Sequence, residues 1–189
     1  MRNNKKSHLF RTILNLDENL NILAKNYIIY DTMLLTPHTF VGIAIGVAIP
    51  NPFIAVPLSF FAHFVGDRVP HWYFYSNTPK EERLKGWRPV AVMFDLVIGV
   101  AVGLIATLYA LWVLKNPHLS LNIFLCGIAS VLPDVFETPY IFGKSEPKIL
   151  SYLTSFQRKI QFQAPLPWGI ISQILIVAVS LILILGLIK

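Results

Sequence analysis

The feature that most constrains this chain is a series of long apolar runs separated by short polar segments. Of its 189 residues, 54% are hydrophobic and 14% are charged, an apolar excess well beyond that of soluble globular domains. A soluble domain of this length cannot bury so many uninterrupted apolar residues. We therefore expect an all-α fold: a polytopic membrane bundle of four to five apolar helices plus an interfacial amphipathic helix.

Helix-breaking residues divide these runs. Thr36-Pro37 is a favourable helix start, with a side-chain cap followed by proline at the first helical position. The first helix is shorter than the roughly 20 residues of a span, so the first two helices can form a hairpin that does not fully cross. The predicted apolar helices cover His38 to about Ile49, Phe53 to His71, Val90 to Leu114, Leu119 to Phe136 and Trp168 to Ile188, and the amphipathic segment covers residues 150–163.

The first 32 residues differ from the rest of the chain. They are polar, asparagine-rich and basic, and they lack the apolar core of a signal peptide. We interpret residues 1–32 as a peripheral extension, either a cytoplasmic amphipathic segment or upstream sequence read from too early a start. Residues 33–189 then form the integral membrane domain.

Basic residues predict the orientation. Of the 16 Lys and Arg residues, 14 fall before His38, between Arg68 and Arg88, or between Lys144 and Lys159, and alternating helices place these three regions on one side. The positive-inside rule makes that side cytoplasmic and the carboxyl terminus external, so we expect a multi-pass protein of the cell membrane. No glycine-rich phosphate loop or zinc-finger spacing is present, and the basic residues indicate a lipid bilayer rather than nucleic acid as the partner.

One motif carries metal-binding chemistry. His63, Asp67 and His71 form HxxxDxxxH, and on a continuous helix residues four apart lie on the same face. Imidazole and carboxylate groups are ligands for zinc or manganese, and HExxH uses the same helical spacing. The alternative is that these side chains only mark the interfacial end of a helix.

Two further acids lie within apolar helices. Asp95 lies one to two turns into the third predicted helix, and Asp134 lies near the end of the fourth. An ionisable group there costs several kcal/mol unless it is paired or coordinated, so each is a candidate catalytic residue. The alternatives are a buried salt bridge for Asp95 and a polar helix end for Asp134. If the helices alternate, these acids share one membrane face with His38 and the HxxxDxxxH motif, whereas His118 lies on the other.

The segments TPHTFVGIAIG, FAHFVGDRVPHW, MFDL and SVLPD resemble small bacterial membrane-bound metal-dependent hydrolases of the YdjM-like type and their uncharacterised relatives. The resemblance covers roughly Leu35 to Pro139, and the HRGxTHS segment of many of those proteins is absent. Gln157 and Gln161 lie where a ligand histidine would be attractive. Because glutamine binds metal poorly, either the metal site has fewer ligands or these amides hold substrate. The resemblance implies metal-binding roles for His38, His63, Asp67, His71 and Asp134.

These ligands indicate a reaction class. One or two divalent ions, zinc or manganese, would lower the pKa of a bound water and polarise a phosphoryl or acyl oxygen. Asp67 can bridge two ions, and Asp95 or Asp134 can accept the proton. Neighbouring basic residues, Arg68 among them, suit an anionic lipid headgroup; the alternative is that they act only as topology signals. We expect a membrane-embedded metal-dependent hydrolase of a phospholipid-like or other phosphoester. The alternative is a non-enzymatic membrane protein whose polar cluster is structural or binds metal without catalysis.

Overall fold

The computed structural model describes residues 33–76, 78, 82, 84–141 and 148–188. This part of the chain is all-helical and contains no strand, which confirms that the fold is all-α. The predicted extension, residues 1–32, lies outside the described residues. The helices are α1 (Leu35–Ala48), α2 (Pro52–Gly66), α3 (Arg88–Leu108, extended by a π-helical turn at Tyr109–Val113), α4 (Pro117–Ile141), α5 (Lys148–Ile160) and α6 (Trp168–Leu187).

Three helices are long and apolar enough to cross a bilayer. They are Arg88–Val113, the Pro117–Phe136 part of α4, and Trp168–Leu187, with mean hydropathies of 2.4, 1.8 and 2.8. Most side chains of the first and last of these helices lie at the surface of the bundle, as lipid-facing side chains do. By helix length and composition the chain is a membrane protein, with α1 and α2 as shorter apolar helices.

The short helix α1 lies at the centre of the bundle. It contacts α2, α3, α4 and α6, and half of its 14 residues are buried. A helix that is apolar on all sides is stable only when other helices or lipid surround it. At 1.5 Å per residue α1 is about 21 Å long, less than the roughly 30 Å of the hydrocarbon. Helix α1 is therefore too short to cross the hydrocarbon on its own.

Side chains from the three spanning helices satisfy the ends of α1. At its amino terminus, Asp95 of α3 accepts from Leu35 N at 2.7 Å, and Gln173 Oε1 of α6 accepts from Leu34 N at 3.2 Å. At its carboxyl end, the Asn122 amide of α4 donates to the carbonyls of Gly46 and Ile49, both at 2.7 Å. These side chains take the place of the solvent that otherwise hydrogen-bonds a helix end.

Two local predictions are wrong. Thr36 does not cap α1, because the helix begins one residue earlier and Leu34 occupies the cap position without a side-chain bond. The second helix does not reach His71, because α2 ends at Gly66 and Asp67 is its carboxyl-terminal cap. Beyond that point the chain turns and becomes extended, and His71 forms an isolated parallel bridge with Gln163. His71 is therefore not stacked on the helix face that carries His63.

The contact between α1 and α4 depends on Gly42, where an added Cβ would lie 2.6 Å from the Cys126 carbonyl oxygen and would overlap the Ser130 hydroxyl. Small residues allow such close approach between membrane helices. We therefore expect Gly42→Ala to destabilise the protein by about 1–3 kcal/mol, the usual cost of overpacking.

Gly127→Ala is the matched control. A Cβ at Gly127, also on α4, would meet nothing within 4 Å, so its main effect is the better helix propensity of alanine, worth up to about 1 kcal/mol. Thermal unfolding in detergent, followed by circular dichroism, compares the two variants. A Gly42→Ala protein that is as stable as Gly127→Ala, or more stable, would contradict this packing.

Candidate metal centre

Three ligand-type side chains meet at one end of the bundle. His38 lies in the first turn of α1, His63 in the last turn of α2, and Asp67 directly after α2. All three are buried, and one ligand atom from each lies within 4.8 Å of the other two. His38 Nε2 is 3.3 Å from Asp67 Oδ1, and His63 Nε2 is 3.4 Å from Asp67 Oδ2. Ligand atoms bound at 2.0–2.1 Å to a tetrahedral ion lie roughly 3.3 Å apart, so each imidazole lies at a ligand-like distance from one oxygen of Asp67.

The backbone of α4 orients the His63 ring. Nδ1 of His63 lies 2.7 Å from the Ser130 carbonyl oxygen, which can only accept, so Nδ1 carries the proton. This contact turns the other ring nitrogen, Nε2, towards Asp67 and Asp134, each 3.4 Å away. A carbonyl that fixes the tautomer in this way is the usual outer contact of a metal-binding histidine.

Two contacts position the His38 ring. It stacks on the His63 ring, with centroids 4.0 Å apart and planes inclined by 24°. It also passes close to Gly66, where a Cβ would come within 3.1 Å of His38 Cε1. The absence of a side chain at Gly66 therefore gives the imidazole room to reach Asp67.

Asp67 provides the buried negative charge. Burial alone would raise the pKa of Asp67, but its contacts with His38 and His63 more than offset this effect and hold the pKa below its ordinary value. Within the described residues, neither carboxylate oxygen receives a hydrogen bond, and neither does Nε2 of His38. Buried polar atoms of this kind are costly without a partner. A cation among them would supply that partner.

His71 lies near this group on a separate segment. Two short extended segments fix its backbone: His71 N donates to Phe162 O at 3.0 Å, and Ala164 N donates to His71 O at 2.8 Å. Its Nδ1 donates to Val69 O at 2.8 Å, which leaves Nε2 as an acceptor, buried and without a hydrogen bond from the described residues. Burial lowers the pKa of His71, which favours the neutral form of the ring, the form that binds metals.

Asp134 and Gln157 close the cluster on its other side. Asp134 Oδ1 lies 3.4 Å from His63 Nε2, and the Asp134 side chain is 10% exposed. Gln157 extends from α5 and is fully buried. Its Nε2 donates to Asp134 Oδ1 at 2.9 Å and lies 3.1 Å from His63 Nε2. The amphipathic helix α5 therefore contributes an amide to the cluster, while its Tyr152 and Phe156 stay exposed.

Asp95 lies elsewhere, at the start of α1. Oδ2 accepts from Leu35 N at 2.7 Å, and Oδ1 accepts from Thr36 N at 3.3 Å and from the Thr36 hydroxyl at 2.6 Å. Both carboxylate oxygens are thus engaged with the helix terminus, a favourable place for a negative charge. This geometry gives no support to the predicted catalytic role and indicates a capping role instead.

The three residues predicted to contact substrate, Arg68, Gln157 and Gln161, have different surroundings. Arg68 is exposed beside the buried Asp67. Gln161 is half-buried, and its Nε2 has no hydrogen bond from the described residues. Gln157 contacts the ligand-type side chains themselves. The sequence analysis missed Gly66, Ser130 and Val69. Ser130 and Val69 act through backbone carbonyls, which any residue type provides. Gly66 could have been found, because it is a glycine between two candidate ligands.

No family model matches this chain, and comparisons with curated proteins and with solved structures also find no match. The resemblance to YdjM-like hydrolases therefore stays a prediction. The fold and the site define an all-α membrane protein with a buried His/His/Asp group that could hold a metal ion.

Substitution of Asp95 tests the capping role. Asp95→Leu leaves the amides of Leu35 and Thr36 without an acceptor, and we expect it to lower the free energy of unfolding by about 1–3 kcal/mol. Asp95→Asn keeps one acceptor oxygen and should cost less. Thermal unfolding in detergent measures both effects. An Asp95→Leu protein as stable as the wild type would contradict the capping role.

Proposed function

We propose that this protein is a membrane-embedded metal-dependent hydrolase of phosphoesters, similar to the YdjM-like type, with a divalent ion held by His38, His63 and Asp67. The observation that carries the proposal is the spacing of these ligand atoms, 3.3 and 3.4 Å across a buried carboxylate whose oxygens receive no hydrogen bond from the described residues. Buried structural ion pairs are instead expected to satisfy their remaining lone pairs with hydrogen bonds.

The donor set favours zinc or manganese. Two imidazole nitrogens and one carboxylate leave a coordination position open, as catalytic zinc sites do. A second ion would be held by His71 and Asp134 together with Asp67. The metal-binding roles of His71 and Asp134 belong to this two-ion form of the proposal.

The ion would supply a water of lowered pKa and a positive charge beside the scissile phosphoryl group. Asp134 would accept the proton of this water, because its side chain is partly exposed and lies next to His63. Gln157 holds Asp134 Oδ1 through its amide, and Arg68 is exposed to attract an anionic headgroup. Asp95 acts at a distance, by fixing the start of the helix that carries His38.

The proposed setting is the cytoplasmic face of the cell membrane. Its support is the charge count, with 14 of the 16 Lys and Arg residues in segments that alternating spans place together. Helices α1 and α2 then form a hairpin beside the three spanning helices, with both hairpin ends on that face and the carboxyl terminus outside. The expected substrate is an anionic phospholipid-like ester.

Metal content and turnover of the purified protein test the proposal. We expect about one zinc or manganese ion per chain, lost in His63→Ala and in Asp67→Ala. With phosphatidylglycerol or phosphatidic acid vesicles, mass spectrometry should detect the hydrolysis product. Asp134→Asn should keep the ion of the three-ligand site and lower turnover about 10²–10⁴-fold, the range for loss of a general base.

His118→Ala is the matched control, because His118 is exposed at the start of α4. This substitution should change neither the metal content nor the turnover. Absence of metal from the wild type, or equal metal loss in His118→Ala, would contradict the metal centre. Bound metal without hydrolysis of either lipid would favour the non-enzymatic alternative.

A further inference from the structure

An apolar groove runs along the outside of the bundle between α1 and α6. Its volume is about 540 Å³. Only two of its lining residues are polar, Ser172 and Ser180. The Ser172 hydroxyl already donates to the carbonyls of Pro70 and Gly169. The groove thus offers mainly hydrocarbon contacts to an occupant.

The length of the groove matches one leaflet of a bilayer. On α6 its lining begins at Ser172 and ends at Leu183, and eleven residues of helix span about 17 Å. Half of the hydrocarbon core is about 15 Å thick. Because Leu175 and Val179 are more than half exposed, the groove opens sideways towards lipid rather than to an internal channel.

One end of the groove is built from the segment that carries the candidate ligands. Val69 lines the groove, and its carbonyl accepts from Nδ1 of His71. The next residue, Pro70, contacts Ser172 on α6 through its carbonyl. Val69 is only two residues from Asp67 in the sequence, and the residue between them, Arg68, is exposed. An occupant that reaches Val69 is therefore close to the segment that carries Asp67.

We propose that the α1–α6 groove binds one acyl chain of an anionic phospholipid, with the ester end at Val69 and the methyl end at Ala48 and Leu183. This orientation places the headgroup beside Arg68 and Asp67. The apolar walls, the leaflet-like length and the lateral opening of the groove all fit a hydrocarbon chain as its occupant. The inference rests on the proposed function for the identity of the reacting headgroup, whereas acyl binding requires no hydrolysis.

Photocrosslinking with phosphatidylglycerol vesicles tests the groove. A diazirine at the methyl end of one acyl chain should label Ala48 and Leu183, and a diazirine near the ester should label Val69 and Ser172, as mapped by mass spectrometry. Unlabelled long-chain phosphatidylglycerol should displace both labels, and a six-carbon analogue should not. This chain-length comparison uses the wild-type protein and is independent of how any variant folds.

A filling variant and a matched control extend the test. Ala48→Phe removes space for the chain end, and we expect the lipid concentration that displaces the label to rise about tenfold, as loss of two buried methylene groups predicts. Ala101→Phe, on an exposed position of α3 outside this groove, should leave labelling unchanged. His63→Ala should keep the label while losing metal.

The labelling results separate failure of the acyl site from failure of the proposed function. Equal labelling of all three spanning helices without displacement would show bulk lipid only, and crosslinks between chains at these positions would show a second copy in the groove. Loss of groove labelling with metal binding and hydrolysis intact would mean that the substrate reaches the site by another path. Groove labelling without metal or hydrolysis would instead defeat the proposed function and leave the acyl site standing.

Discussion

The arrangement of the bundle depends on the hydrogen bonds that neighbouring helices make to the two ends of the short, buried helix α1. Each long apolar helix contributes one polar side chain: Asp95 from α3 and Gln173 from α6 at the amino terminus, and Asn122 from α4 at the carboxyl end. Each of these side chains costs free energy in an apolar helix unless it finds a partner. The helix ends and the polar side chains therefore stabilise each other, and together they fix the axial position of α1.

The position of α1 in turn determines the candidate metal centre. His38 lies one turn from the amides that Asp95 holds, so the same carboxylate that anchors the helix sets the height of the imidazole. Opposite it, α2 ends at Gly66 and presents Asp67, and the extended segment that follows pairs with residues 161–164. That pairing brings α5 and Gln157 against the cluster. The polar groups thus gather at the end of the bundle where α1 begins.

The sequence predicted those features that follow from periodicity and composition. Long apolar runs gave an all-helical fold, and the i, i+4 spacing of His63 and Asp67 correctly placed both beside the same cluster. The same argument was wrong for His71, because the fold ends α2 at Gly66, and a spacing pattern does not show where a helix stops. Asp95 was correctly singled out as an acid needing a partner, but its partner is a backbone terminus sixty residues away in sequence, a tertiary contact that the pattern does not contain.

X-ray absorption of the zinc-loaded protein tests whether His38, His63 and Asp67 together bind one metal ion. Binding by these three side chains predicts a first shell of nitrogen and oxygen at about 2.0–2.2 Å, with the outer-shell scattering of two or more imidazoles and no sulfur. A first shell containing sulfur, which would come from Cys126 or a methionine, or one without imidazole scattering, would contradict it.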